Sequence, residues 1–236
     1  MTTNKLAAIL GAVLSIGAIG PARIAEADAM TQPTTQPAPV SAQFEKSAEG
    51  RADSIVRDLQ IDDSAKAARV HDAITNQLVA LHQWHEANDA QVKQVTKAGG
   101  GPDLDRIEAT RHDLHNAFLA KLPADLTPDQ IDTVKEKLTG GQMTATLRNY
   151  PEIIPNLTDD DKAMIAKTLL EGREEAMDSG SRTERIAIFK KYKGKINVYL
   201  DAHGHDVKQA YKDWGAAQKA KQAGASTQPA ANQTDN

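Results

Sequence analysis

Gly99-Gly-Gly-Pro102 separates two long stretches of helical periodicity, and this break constrains the fold more than any other feature of the chain. Upstream, Val70, Ile74, Leu78 and Leu81 recur at helical spacing; downstream, Leu104, Ile107, Leu114, Phe118 and Leu122 do the same. So short a glycine-rich connection makes the two helices antiparallel neighbours. Sustained alternation of β-branched and aromatic residues with period two is missing, so strands are not expected.

Capping signals place the other helices. A first helix is expected from about Phe44 to Leu59, a second from Asp62 or Asp63 to Lys97, and a third from Asp103 to Leu122. Thr127-Pro-Asp-Gln130 is a capping box with proline at the first helical position; it opens a fourth helix that ends at Gly140-Gly141. Tyr150-Pro-Glu-Ile-Ile-Pro155 reads as a break with a short turn of helix. Thr158 caps a fifth helix ending near Ser179-Gly180, a sixth runs from about Thr183 to His203, and a last begins near Asp206. The expected architecture is all-α: a single-domain bundle or array of about six to seven helices.

The N-terminus has the form of an export signal. Lys5 precedes an apolar run from Leu6 to Gly20, and small residues stand at cleavage spacing in Ala25-Glu-Ala27 and Ala27-Asp-Ala29. Residues 1–29 are therefore expected to be a signal peptide, with the mature chain periplasmic or secreted and not membrane-bound after cleavage. Residues 30–43 form a Pro/Thr/Gln-rich linker, and residues 223–236 share its character; both are expected to be disordered. Between them, residues 44–222 form the helical domain. The absence of cysteine excludes a lipoprotein anchor, disulfides, a thiolate nucleophile and Cys-based zinc sites. With a net charge of -4, the chain has no global basic field, and nucleic acid is not an expected partner.

Both hairpin stripes have polar interruptions. His85 falls inside the stripe of the second helix, with His82 and Asp89 along its edge; Arg111 sits in the stripe of the third, with His115 beside it. His71 is too far from His85 to share a ligand with it, at roughly 20 Å along the helix. Folding the hairpin symmetrically about Gly100 sets His85 near His115 and Asp89 near Arg111. The resulting cluster of His82, His85, Asp89, Arg111 and His115, flanked by Glu86 and Glu108, has three readings. It is a structural ion-pair network; or a divalent-metal site with His82, His85 and His115 as ligands; or an acid-base site in which His85, His115 and Asp89 move protons while Arg111 holds an anion. The His-x-x-His spacing alone does not choose among them. No serine or threonine nucleophile motif is present.

A second segment of interest is Phe189-Lys-Lys-Tyr-Lys-Gly-Lys-Ile-Asn-Val-Tyr-Leu200. Phe189, Ile196 and Leu200 form a core stripe. Gly194, in mid-helix, points to close approach of another helix or a ligand. Lys190, Lys191, Lys193 and Lys195 are either an anion-binding surface or a solvated face neutralised by Glu171, Glu174, Glu175 and Asp178. Arg173 is a second candidate interior arginine.

Lys191-Tyr-Lys-Gly-Lys-Ile-Asn197 with Tyr199-Leu200 and Gly204, Arg173-Glu-Glu-Ala-Met-Asp178 with Gly180-Ser181, and Ala68-Arg-Val-His71 with His85 together resemble the signature of domain-of-unknown-function family 3826. The resemblance spans about Phe44 to Trp214; Val198 departs from it where a second asparagine is expected. It implies an exported helical domain associated with bacterial polysaccharide degradation, and carries over no catalytic residues. A glycan is accordingly the expected ligand, acidic sugars included, with Arg111, His82, Arg173, Tyr192, Lys193, Lys195, Asn197 and Tyr199 as candidate binding residues. The alternatives are a polysaccharide lyase or hydrolase using the hairpin cluster, and a periplasmic chaperone. The last rests on Leu126-Thr-Pro-Asp-Gln130, which resembles a phrase of the small helical Spy-type chaperones.

Overall fold

The computed structural model describes residues 39–226, with side chains through residue 222. The expected signal peptide, the linker up to residue 38 and the tail beyond residue 226 lie outside the described residues. Among the described residues are eight α-helices, a 3-10 turn and no strand. The helices are α1 (Ala42–Leu59), α2 (Ser64–Lys97), α3 (Pro102–Lys121), α4 (Pro128–Leu138), α5 (Gln142–Ile153), α6 (Asp159–Met177), α7 (Arg182–Ala202) and α8 (Val207–Ser226). None is long and apolar enough to cross a membrane.

Side-chain caps set most starts. Ser41 accepts from the Phe44 N–H to begin α1, and Asp63 accepts from the Ala65 and Lys66 N–H groups to begin α2. Capping boxes open α4 at Thr127/Gln130 and α6 at Thr158/Asp161. Gln130 does more than cap: its Nε2 donates to the Leu59 carbonyl at 3.2 Å, fastening α4 to the end of α1. That second bond gives the Leu126–Gln130 phrase a local structural role. α8 reaches Ser226, four residues past the expected end of the helical domain at residue 222.

α5 corrects the expected break at Tyr150–Pro155. It is a 12-residue helix that carries Pro151 in its last turn. There the proline removes one helical hydrogen bond, while the Ile154 N–H donates to the Tyr150 carbonyl at 2.8 Å and closes the end. Tyr150 and Ile153 are buried, so tertiary packing outweighs the proline.

Two apolar clusters form the core. One joins α1 to α4 through Ile55, Val70, Ile74, Phe118, Val134 and Leu138. The other joins α5 to α8 through Tyr150, Leu169, Phe189, Ile196, Leu200 and Val207. Met177, at the end of α6, packs into the first cluster although Leu169 and Ala176 of the same helix belong to the second. α4 also packs on α6. The polar residues of interest lie along this junction.

Candidate functional site

α6 ends on an acid. Asp178 is its C-cap and only 4% exposed. A carboxylate at that end of a helix opposes the macrodipole and calls for nearby cations. Two histidines from the hairpin are placed there. His85 Nε2 donates to the Asp178 carbonyl oxygen at 2.8 Å, and His115 Nδ1 lies 2.9 Å from Asp178 Oδ1. His85 Nδ1 lies 2.8 Å from Asp89 Oδ1, so both nitrogens of this buried ring face oxygen atoms. Gly180 makes room for the ring: a Cβ there would come within 2.6 Å of His85 Cγ.

A further layer of charge lies behind. His115 Nε2 is 3.6 Å from Glu174 Oε2, which accepts from Lys135 Nζ at 2.8 Å. Buried Arg173 donates to Asp132 at 2.8 Å. The carboxylate of Asp178, followed by that of Glu174, holds the His115 imidazolium up to about 9, against the burial that would lower it. Burial is the largest single influence on Glu174 and would raise it. The hydrogen bonds from His115 and Lys135 and the charges of Lys135 and Arg173 together outweigh burial and hold Glu174 at about 2.

Next to this network lies a cleft of about 580 Å³ between α3, α6 and α7. Its wall carries Glu108, Arg111 and His115 from α3, and Glu171, Glu174 and Glu175 from α6, with Asp178 at the base and Tyr192 facing them from α7. The Tyr192 hydroxyl donates to Glu175 Oε2 at 2.8 Å, and Lys191 pairs with the same carboxylate at 2.6 Å. Burial raises the Glu175 carboxyl, but the Lys191 and Tyr192 hydrogen bonds bring it below the usual range. Burial first, and the Glu175 carboxylate second, push Tyr192 up to about 12. Arg111 lies 5.2 Å from the Trp84 ring centre and contacts Glu108 at 2.5 Å as an ion pair. Glu108 Oε2 and Arg111 Nε nevertheless have no hydrogen-bond partner.

The hairpin register differs from the symmetric expectation. Symmetry about Gly100 would set Trp84 opposite Asn116; Trp84 Nε1 instead donates to Thr110 Oγ1 at 2.8 Å, nearer the loop. Gly99, Gly100 and Gly101 all have positive φ (104°, 74° and 90°), so the connection is not a simple mirror between the two helices. Arg111 therefore pairs with Glu108 and approaches Glu184 at 4.0 Å, while Asp89 pairs with His85. His85 and His115 come together through Asp178. His82 stands apart from them: it stacks on Phe44 at 3.8 Å and pairs with Glu86 at 3.2 Å. Among the described residues no group of three or more His, Asp or Glu is placed to hold a metal ion. The expected ligand set of His82, His85 and His115 is accordingly not assembled, and both His85 nitrogens are engaged.

The other expected binding residues are dispersed. Lys195 Nζ lies 4.3 Å from the Tyr192 ring centre. Asn197 accepts from the Tyr150 hydroxyl at 2.9 Å, the Lys193 backbone lies near that same hydroxyl, and Tyr199 stacks on His203 at 3.8 Å. Arg173 is sealed in the α4–α6 junction. Gly194 corrects another expectation: a Cβ there would meet nothing within 4 Å, so no neighbour in the chain requires this glycine. Gly172 holds the close approach instead, its absent Cβ lying 2.8 Å from Tyr192 Cγ.

Asp178, Glu174 and Glu171 were expected only as neutralisers of lysines. The signal for Asp178 was its position, an acid in the last turn of a helix just before Gly180, where the macrodipole disfavours it unless cations close over it.

The profile of a family described as a protein of unknown function (DUF3826) matches residues 45–220. No curated protein matches the sequence.

Proposed function

The chain belongs to the DUF3826 family, and from its cleft we propose that it is an exported carbohydrate-associated protein that binds a glycan between α3, α6 and α7. The observation that carries this reading is an open cleft lined by ion-paired carboxylates, the Arg111 guanidinium and the Tyr192 hydroxyl. General acid–base chemistry favours a group whose pKa lies near the working pH. His115 is held at about 9, Glu174 at about 2 and Tyr192 at about 12. Across the physiological range His115 therefore stays protonated, Glu174 stays ionised and Tyr192 stays a neutral hydroxyl, which supports binding over proton transfer. Carboxylates accept hydrogen bonds from sugar hydroxyls, and the Arg111 guanidinium donates them. Glu108, Glu171, Glu174, Glu175 and Asp178 outnumber Arg111, His112 and His115 on the lining, which favours a neutral glycan over a uronate.

Affinity electrophoresis against neutral and acidic polysaccharides tests the proposal. The expected result is retardation by a neutral glycan, reduced in Glu171→Gln, whose carboxylate is exposed on the lining. Unchanged mobility on every polysaccharide of a broad panel overturns it.

A further inference from the structure

A second cavity lies on the far side of the α6–α7 turn, and its chemistry is opposite to that of the cleft. It holds about 170 Å³ and receives Arg51 from α1 with Arg182 and Arg185 from the start of α7. Leu78 and Leu81 of α2 and Met177 of α6 give it an apolar floor. We propose that this cavity is a binding site for a tetrahedral oxyanion, sulfate or phosphate, either free or as an ester on a larger molecule.

The argument begins with unpaired charge. Elsewhere the interior arginines have acids: Arg173 has Asp132, and Arg111 has Glu108. Among the described residues, no carboxylate lies within ion-pair distance of Arg51, Arg182 or Arg185. Three like charges around one small cavity repel each other, and a half-buried guanidinium without an anion is costly. Burial, followed by the Arg185 charge, lowers Arg51 below its usual value; burial, followed by the Arg182 charge, lowers Arg185. The three cations thus form one electrostatic group.

The cations are also positioned. Arg51 donates through one guanidinium arm to the Leu138 carbonyl at the end of α4, which fixes its fork at the cavity. Ser181 caps α7, so Arg182 and Arg185 project from the first turn of a 21-residue helix whose dipole adds positive potential. Arginine forks match the oxygens of sulfate and phosphate, and the cavity has room for such a group. His82 also lines the cavity; its Nε2 faces Glu86, and its ring is stacked on Phe44. The site is independent of the glycan cleft in residues and in ligand chemistry.

Isothermal titration of the full mature chain with sodium sulfate and with sodium phosphate, at constant ionic strength set by chloride, tests the proposal. The expected result is saturable one-to-one binding that Arg185→Gln weakens by at least about tenfold, the loss of one charge-assisted contact. Thermal melting in anion-free chloride buffer checks the same variant: removing one of three unpaired cations should leave Tm unchanged or raise it. A sulfated disaccharide titrated beside its unsulfated parent separates the sources. Tighter binding of the sulfated sugar than of free sulfate assigns an ester; binding of the free ion alone assigns a free anion. No binding of any of these probes, or equal binding by Arg185→Gln, overturns the proposal. A marked fall in the Tm of that variant overturns the premise that the charge is unpaired. None of these outcomes depends on whether a neutral glycan binds the other cleft.

Discussion

The His85 ring occupies the space that a side chain at Gly180 would need, with only 2.6 Å between a Cβ placed there and His85 Cγ. The ring cannot withdraw without giving up the Asp178 carbonyl on one side and Asp89 on the other. Gly180→Ala is therefore expected to destabilise the protein by about 1–3 kcal/mol, as overpacking does. His85→Ala removes the clash, so the double variant should cost clearly less than the sum of the two singles. Urea denaturation of the four proteins measures the coupling; strict additivity would show that the two residues do not compete for space.

Asp178→Asn keeps the shape and removes the charge beside His115. The His115 pKa should then fall from about 9 towards its ordinary 6.5, since the Asp178 carboxylate is the main influence holding it up. Titration of the histidine resonances by NMR reads this directly. A value still near 9 in the variant would assign the shift to Glu174 alone.

The same two groups shape the pH dependence of stability. His115 has a raised folded pKa, so its contribution is complete below 6.5 and is lost as pH rises through about 9. Glu174 has a depressed one, so its contribution is complete above 4.5 and is lost as pH falls towards about 2. Thermal melts should show this network at full strength between those limits and a decline on both sides. The alkaline limb should flatten in His115→Gln; an unchanged limb there would remove His115 as its cause.

Gly194 lies exposed in the middle of α7 with open space where its Cβ would be. Gly194→Ala is expected to stabilise the fold by about 0.5–1 kcal/mol through helix propensity. Chemical denaturation gives the sign, and a destabilised variant would point to a packing partner at this backbone.

Helices were legible in the sequence where they are punctuated by local chemistry. Thr127 with Gln130, Thr158 with Asp161, and the Gly99–Pro102 loop each act within a few residues, and all stand where expected. α5 was not legible because burial of Tyr150 and Ile153 overrides the proline between them, and burial is a property of the tertiary fold. The hairpin signalled that His85 and His115 interrupt apolar stripes, but their common partner, Asp178, comes from a helix about 60 to 90 residues away, and no periodicity spans that distance. The arginine cavity escaped for the same reason. Arg51 and Arg185 are ordinary surface letters until α1 and α7 are brought together.

Met177 ties the end of α6 to the N-terminal apolar cluster, while Leu169 and Ala176 of the same helix serve the C-terminal one. Neither group of helices can melt alone without tearing a shared structural member from the other. The expected behaviour is one cooperative transition, detected at the same temperature by Trp84 in the first group and Trp214 in the second. A chain cut in the segment before α6 should yield two fragments that remain unfolded until mixed.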